Sequence, residues 1–432
     1  MKLTAWGRYP QIKANGVTFE TRAQLGRLLS STDPVIPYGM GRSYGDSALN
    51  PKVILTNRFD KILGFDQKTG LLHVECGVTL ADIIDIFLPR GWFLSVTPGT
   101  RFITVGGAIS SDVHGKNHHK VGCFSRFVHY LELMLPSGDV LHCSPDENGD
   151  LFRATCGGMG LTGIILTAAI QLQPVRSGFI RETDIRCRNL EEAFHQFEAN
   201  AASTYSVAWI DCLQRGGNIG RSILMLGEHA DTGHLAPKFR TPLPMPITLP
   251  GLLLNRYSVA MFNRFYYRSY PNYVEDRLTP MEPFFYPLDR ITAYGRMYGR
   301  HGFTQYQLAL PKESSYEGLR TIMDRIAAEG IGSFLGVLKL LGPGNDNYLS
   351  FPLQGYTLAL ELKIEPRLFR VLDELDRIVL DHGGRLYLTK DVRMGRDMFI
   401  RGYPRWKEFE SVREKYGLKS KLQSLQSERL GI

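Results

Sequence analysis

Three loops in the first half of the chain carry residues whose type and spacing suit phosphate chemistry. The first runs Pro37-Tyr38-Gly39-Met40-Gly41-Arg42-Ser43-Tyr44-Gly45-Asp46-Ser47. The second spans Thr97 to Asn117 and holds Thr97-Pro98-Gly99-Thr100, Val105-Gly106-Gly107-Ala108 and His114-Gly115-Lys116-Asn117. The third is Gly157-Gly158-Met159-Gly160-Leu161-Thr162-Gly163. Glycine accepts positive φ and lets backbone N–H groups come close to a ligand. Successive N–H groups then form concave anion sites. One such loop is ordinary turn chemistry. Three of them point to one large phosphate-bearing cofactor lying across a domain. His114, His118 and His119 suggest a metal, but Gly115 and Asn117 interrupt any helix that would align them. No metal is therefore expected. His73, His129 and His142 stand alone and read as packing or surface histidines.

Elements must hold these loops in place. Residues 17–36 read as strand, helix and strand, with the helix at Thr21–Ser30 facing the core through Ala23, Leu25 and Leu28. The strand Pro34–Tyr38 delivers the first loop. Val53–Leu55 and Leu71–Glu75 read as strands, and Thr79 caps a helix over Leu80–Leu88. Tyr130–Leu135 and Asp139–Cys143 flank Pro136-Ser137-Gly138, a hairpin signal. Leu151–Cys156 is a short helix leading to the third loop. The strand Ile164–Leu172 follows, ended by Gln173-Pro174.

Beyond residue 177 the texture changes. Helical periodicity marks Leu190–Ala201, Ser315–Glu329 and Glu365–Asp381. Alternation marks strands at Ser206–Cys212, Phe303–Leu310, Ser333–Leu340 and Tyr356–Ile364. Together these predict an antiparallel sheet with helices on one side. Period-2 parity sets Gln305 and Gln307 against Tyr306, Leu308 and Leu310. It likewise sets Thr357, Ala359, Glu361 and Lys363 against Leu358, Leu360, Leu362 and Ile364. Trp209 and Asp211 share another such face. This polar face is either a ligand floor or the wet side of the sheet. The segment Thr241–Phe265 is apolar but proline-rich and irregular at its start. It either packs inside or forms a mobile flap that meets lipid, with Arg256, Arg264 and Arg268 suited to an anionic surface. Gly383–Asp391 reads as a turn and strand, placing Lys390 on the side of Leu386 and Leu388. There it is either an exposed strand end or a partner for an anionic group.

Composition bounds the rest. A chain of 432 residues, 43% hydrophobic, can bury an ample core in two or three domains. No apolar run is long enough for a transmembrane helix, and the start has no apolar signal core. Six scattered cysteines read as reduced thiols, so a cytoplasmic location is expected. The net charge of +8 is spread along the chain, which argues against nucleic acid as the partner.

Taken together, these motifs resemble the vanillyl-alcohol-oxidase superfamily, whose members carry a PCMH-type FAD-binding domain. The closer likeness is to its branch acting on prenyl-phosphoryl pentoses in arabinan-precursor synthesis. The resemblance covers nearly the whole chain. It rests on Gly41–Asp46, Pro98–Arg101, Val105–Ala108, His114–His119, Gly160–Ile164, Gln305-Tyr306-Gln307, Val337-Leu338-Lys339 and Tyr387–Asp391. It implies an α+β chain: a two-part FAD-binding domain at 1–177, a substrate domain of antiparallel sheet with helices on one side at 178–384, and a return to the first domain at 385–432.

The resemblance also implies roles. The first loop, Pro37 through Ser47, wraps the FAD pyrophosphate. Gly99, Thr100, Thr104, Val105, Gly106 and Gly107, with His114, Gly115, Lys116 and Asn117, line the flavin and its phosphates. Ile164 meets the adenine end and Tyr387 touches the cofactor. Lys390 stands beside the ring system and the substrate, where a cation offsets charge arriving with hydride. His114, Lys116 and Tyr44 border the sugar, and one of these or Lys390 accepts the hydroxyl proton. Gln305, Gln307, Lys339, Thr357 and Lys116 hold the sugar hydroxyls and phosphate.

Two departures from the family matter. Some members carry a histidine in the first loop that bonds the flavin. Arg42-Ser43-Tyr44 stands there instead, so dissociable FAD is expected. Thr357 and Ala359 replace a family asparagine and cysteine, which alters the pocket wall. The expected activity is oxidation of a secondary hydroxyl, at C2 of the pentose. A separate short-chain reductase would complete the epimerisation, and contact with the inner membrane face would be peripheral. Two alternatives stay open: oxidation of a soluble alditol or aldonolactone, and a non-catalytic basic module binding lipid or nucleic acid.

Overall fold

The computed structural model describes residues 1–31, 33–235 and 242–432. The start of the proline-rich segment, Thr241, lies outside them. Near the N-terminus, Asn15–Thr18, Lys52–Leu55 and Ile36–Tyr38 form a three-stranded parallel sheet. The helix Arg22–Leu29 is capped by Thr21, whose hydroxyl accepts from the Gln24 N–H. It buries Leu25 and Leu29, and Leu28 packs half-buried against the core, while Ala23 stays exposed, so Ala23 alone departs from the predicted inward face.

A second sheet orders Val140–Cys143, Val128–Met134, Ile164–Pro174, Leu71–Glu75 and Ile62–Asp66. Trp92–Leu94 pairs with the far end of Ile164–Pro174. That pairing carries the strand through Gln173 and Pro174, where the sequence predicts a stop. Pro174 sits at the last pair, where its missing N–H costs little. The helix Leu80–Phe87 has a reciprocal cap between Thr79 and Asp82. The hairpin around Pro136–Gly138 forms as expected.

The third sheet is the large one. Its eight antiparallel strands run in the order Tyr273–Pro280, Phe179–Cys187, Ser222–His229, Tyr205–Ile210, Gly336–Leu341, Gly355–Lys363, Phe303–Pro311 and Arg385–Leu386. The helices Lys312–Glu329 and Leu368–Asp381 pack against its last strands, and Leu190–Ala199 packs against Phe179–Cys187 and Ser222–His229 and touches Lys312–Glu329. Their buried residues, such as Leu319, Ile322, Leu372 and Leu375, meet Leu308, Leu358 and Leu360 in one core. The opposite face carries Gln305, Gln307 and Ala359. This is the α+β architecture expected from parity.

Three strands of this sheet, Phe179–Cys187, Ser222–His229 and Tyr273–Pro280, are not anticipated by the sequence. The strand beginning at Gly336 starts three residues later than the pattern suggests. The apolar segment also differs from expectation. Its irregular part ends at Leu254, and Asn255 caps a regular helix over Arg256–Ser269. Both the Tyr257 and Ser258 N–H groups donate to the Asn255 side chain. The C-terminal tail returns to the first sheet, where the Val35 N–H donates to Lys421 O and the Gln423 N–H donates to Val35 O.

Candidate active site

The glycine loops and the polar face of the large sheet line one cavity of about 510 Å³. That lies within the about 300–1,000 Å³ typical of a ligand pocket.

The first loop has the features of an anion cradle. Among the described residues, no hydrogen bond is donated by the backbone N–H of any residue from Gly39 to Ser43. All five residues border the cavity. Gly41 has φ +61°, and a Cβ there would lie 2.1 Å from the Tyr38 hydroxyl. A Cβ on Gly39 would lie 2.7 Å from Thr104 Oγ1, so the first loop presses on the cap of the short helix Val105–Ser110. A Cβ on Gly99 meets nothing within 4 Å and would occupy the cavity itself. A row of unused donors beside an unobstructed wall fits a flat, phosphate-bearing group such as FAD.

The turn carrying Gly99 is fixed by Tyr286 and Asp289. Asp289 accepts from Thr100 Oγ1 at 2.6 Å and from the Arg101 N–H at 2.8 Å. The Thr97 and Tyr286 hydroxyls lie 2.7 Å apart. Arg42 stacks over Trp6, 4.2 Å from its ring centroid.

Three lysines converge on the cavity. The strand expected through Lys390 stops at Leu386. The N–H groups of Lys390 and Asp391 both bond back to Tyr387 O, and this turn, not strand alternation, aims Lys390. Its Nζ lies 4.0 Å from the centroid of the Tyr44 ring, while Leu386 and Leu388 stay in the core. Burial brings Lys390 down to about 7; Glu361 opposes that shift and Lys339 adds to it. Burial takes Lys339 down to about 8. Among the described residues, Lys339 has no hydrogen-bond or ion-pair partner. Lys116 donates to Phe284 O, and burial lowers it to about 7.

Behind Tyr44 sits a carboxylate held by phenols. Glu361 is buried and accepts from Tyr44, Tyr294 and Tyr298, each at 2.8 Å. The Gln305 amide lies 3.4 Å from it. Burial raises the Glu361 carboxyl, and the three phenols pull it back. Burial and then Glu361 push the Tyr44 phenol well above its usual value, so Tyr44 donates a hydrogen bond and holds its proton. His114 is kept well below the usual imidazole range by burial first, then by Lys339, His118 and Lys390. Its Nε2 lies 3.2 Å from the Gln307 amide nitrogen.

The cavity thus gathers most of the residues singled out in the sequence. Tyr38, Gly45, Asp46, Val105, Asn117 and Thr357 are exceptions, lying one layer behind its wall. Tyr38 donates to Thr4 O, and Asp46 pairs with Arg429 at 2.7 Å. Asn117 donates to Ser95 O. Thr357 Oγ1 donates to Leu308 O and receives the Gln307 amide at 3.3 Å. Val105 is core, and Gly45 abuts Asp391. Residues the sequence did not flag include Asp289, Tyr294 and Tyr298, which come from a stretch without periodic pattern. For Glu361, parity gave its side of the sheet but no role. Among the described residues, no group of three His, Cys, Asp or Glu side chains is placed to hold a metal.

Comparison with known proteins agrees with this geometry. Residues 18–144, which hold the first two glycine loops, match a family model described as an FAD binding domain. A decaprenylphosphoryl-β-D-ribose oxidase from Mycolicibacterium smegmatis is 37% identical over 95% of this chain and 93% of its own length. An uncharacterized protein from Streptomyces coelicolor is 34% identical over 82% of this chain and 100% of its own length. A Δ24-sterol reductase from Homo sapiens is 34% identical over 29% of this chain and 24% of its own length. The chain therefore carries an FAD-binding domain and belongs to the decaprenylphosphoryl-β-D-ribose oxidase family of FAD-dependent oxidoreductases.

Proposed function

We propose that this protein oxidises the C2 hydroxyl of the pentose in a prenyl-phosphoryl sugar, giving the 2-keto sugar. A separate short-chain reductase then reduces the ketone to the opposite configuration. One observation carries the reading. The cavity that begins at the glycine cradle continues to a polar sheet face where Lys339, a half-buried cation whose side chain has no protein partner among the described residues, stands near Lys116 and Lys390. A cation held in a cleft without a partner is favoured by an anion beside it, and a sugar phosphate supplies that anion.

FAD held by the glycine loops would supply the acceptor for the hydride of C2. The chain's own residues handle the proton and the orientation. Lys390 reaches its neutral form near pH 7 and takes the hydroxyl proton on Nζ. Once charged, its amine offsets the negative charge that accompanies the hydride. Tyr44, anchored by Glu361, fixes the position of Lys390 through the ring contact. Gln305, Gln307 and neutral His114 hold the sugar hydroxyls, and Lys339 with Lys116 holds the phosphate. FAD is dissociable, because Arg42-Ser43-Tyr44 offers no histidine to bond it. The prenyl tail leaves toward a membrane, on whose inner face the protein sits peripherally. Among the described residues, no helix is long and apolar enough to cross a membrane.

An isotope experiment tests the assignment. Substrate deuterated at C2 should slow flavin reduction several-fold, whereas deuteration at C3 should leave it unchanged. Equal rates for all three substrates would overturn oxidation at C2. Acid precipitation should release yellow FAD into the supernatant; colour retained in the pellet would overturn dissociable binding.

A further inference from the structure

The helix Arg256–Ser269 has two faces with different chemistry. At 100° per residue, Val259, Asn263, Tyr266 and Tyr270 fall on one side. This side faces the protein. Asn263 donates to Asp211 Oδ1 at 2.8 Å and to Ser333 O at 3.3 Å. Tyr266 and Tyr270 form part of the cavity wall. The other side carries Tyr257, Met261 and Phe265, which are 75%, 60% and 69% exposed. Leu252, in the turn before the helix, is 87% exposed, and Leu253 beside it is also exposed. Single exposed apolar residues are ordinary, but five within the short run from Leu252 to Phe265 are not.

Charge says what covers this surface. Arg264 and Arg268 share the outward side, and Arg256 starts the helix. None of the three forms an ion pair among the described residues. The chain holds no Asp or Glu between Asp231 and Glu275. Aromatic and aliphatic tips bordered by arginines without ion pairs, on a segment that carries no acid of its own, match the boundary layer of an anionic bilayer.

We propose that this outward face docks the protein onto a bilayer bearing anionic headgroups, so that one helix forms both the wall of the substrate cavity and the membrane contact. The inference rests on the prenyl-phosphoryl reading given above. A lipid tail passing Tyr266 and Tyr270 leaves the cavity beside the docked face and need not cross water.

The test uses the full-length FAD-loaded protein and sedimentation with vesicles. Wild type should pellet with phosphatidylcholine–phosphatidylglycerol vesicles and bind pure phosphatidylcholine more weakly. Tyr257→Ser/Met261→Ser/Phe265→Ser should lower binding to both by about tenfold or more. Arg264→Gln/Arg268→Gln should abolish most of the preference for the anionic vesicles. Wild type remaining in the supernatant would overturn the proposal, as would variants that pellet like wild type. So would a dimer in solution that the triple variant disperses, since a second copy would then be the occupant. Flavin reduction by a short, water-soluble prenyl-phosphoryl ribose, measured without vesicles, should be the same in all three proteins. Pelleting without flavin reduction would refute the substrate reading and leave the docking surface standing; flavin reduction without pelleting would do the reverse.

Discussion

At Lys390 opposing influences set the charge. Burial removes the proton, Lys339 assists, and Glu361 restores it through space. The folded-state value of about 7 lies below the usual lysine range, so the neutral amine grows in with rising pH. The rate of anaerobic flavin reduction should therefore climb through about pH 7 and level off above it. Lys390→Ala should keep FAD and slow that step by about 10²-fold or more; an unchanged rate would remove Lys390 from its assigned role. Glu361→Gln removes the negative charge that holds the proton on Lys390, so the rising limb should move to lower pH. A profile left in place would show that Glu361 only packs. Much of this was legible in the sequence, because alternation alone puts Gln305 and Gln307 on one face and Glu361 on the same side as Ala359. The grip on Glu361 was not legible. Its phenols on Tyr294 and Tyr298 come from short turns whose spacing carries no period.

At the scale of elements, the first loop and the Lys390 turn are held against each other. A Cβ on Gly45 would lie 1.6 Å from Asp391 O. Arg429, from the last helix, pairs with Asp46 at 2.7 Å and with Asp391 at 2.9 Å. Arg429→Ala would leave two buried carboxylates without a cation. The expected cost is about 3–5 kcal/mol, read as a fall in melting temperature together with faster FAD loss. A variant with native stability and native FAD retention would show that the loop is held by other contacts. The sequence revealed the capped helices and the hairpin through local signals that need no distant partner. It missed Tyr273–Pro280, the edge strand, and Phe179–Cys187 beside it, both of mixed polarity. It also carried the final strand too far, since the turn at Tyr387–Asp391 is set by packing against residues hundreds of positions away.

At the scale of the whole molecule, the site belongs to neither half alone. The glycine cradle comes from the first sheets, the polar floor from the large sheet, and Lys390 from a late turn. The tail then closes the circuit on Val35. Long-range contacts of this kind leave no periodic mark, so the sequence motifs named candidate residues without saying how they meet. The measurement that tests the account most directly is the visible spectrum of the purified FAD-loaded protein under anaerobic conditions. Prenyl-phosphoryl ribose should bleach the flavin band stoichiometrically, while soluble alditols and aldonolactones should leave it intact. A spectrum unmoved by the lipid sugar but bleached by a soluble polyol would contradict the account.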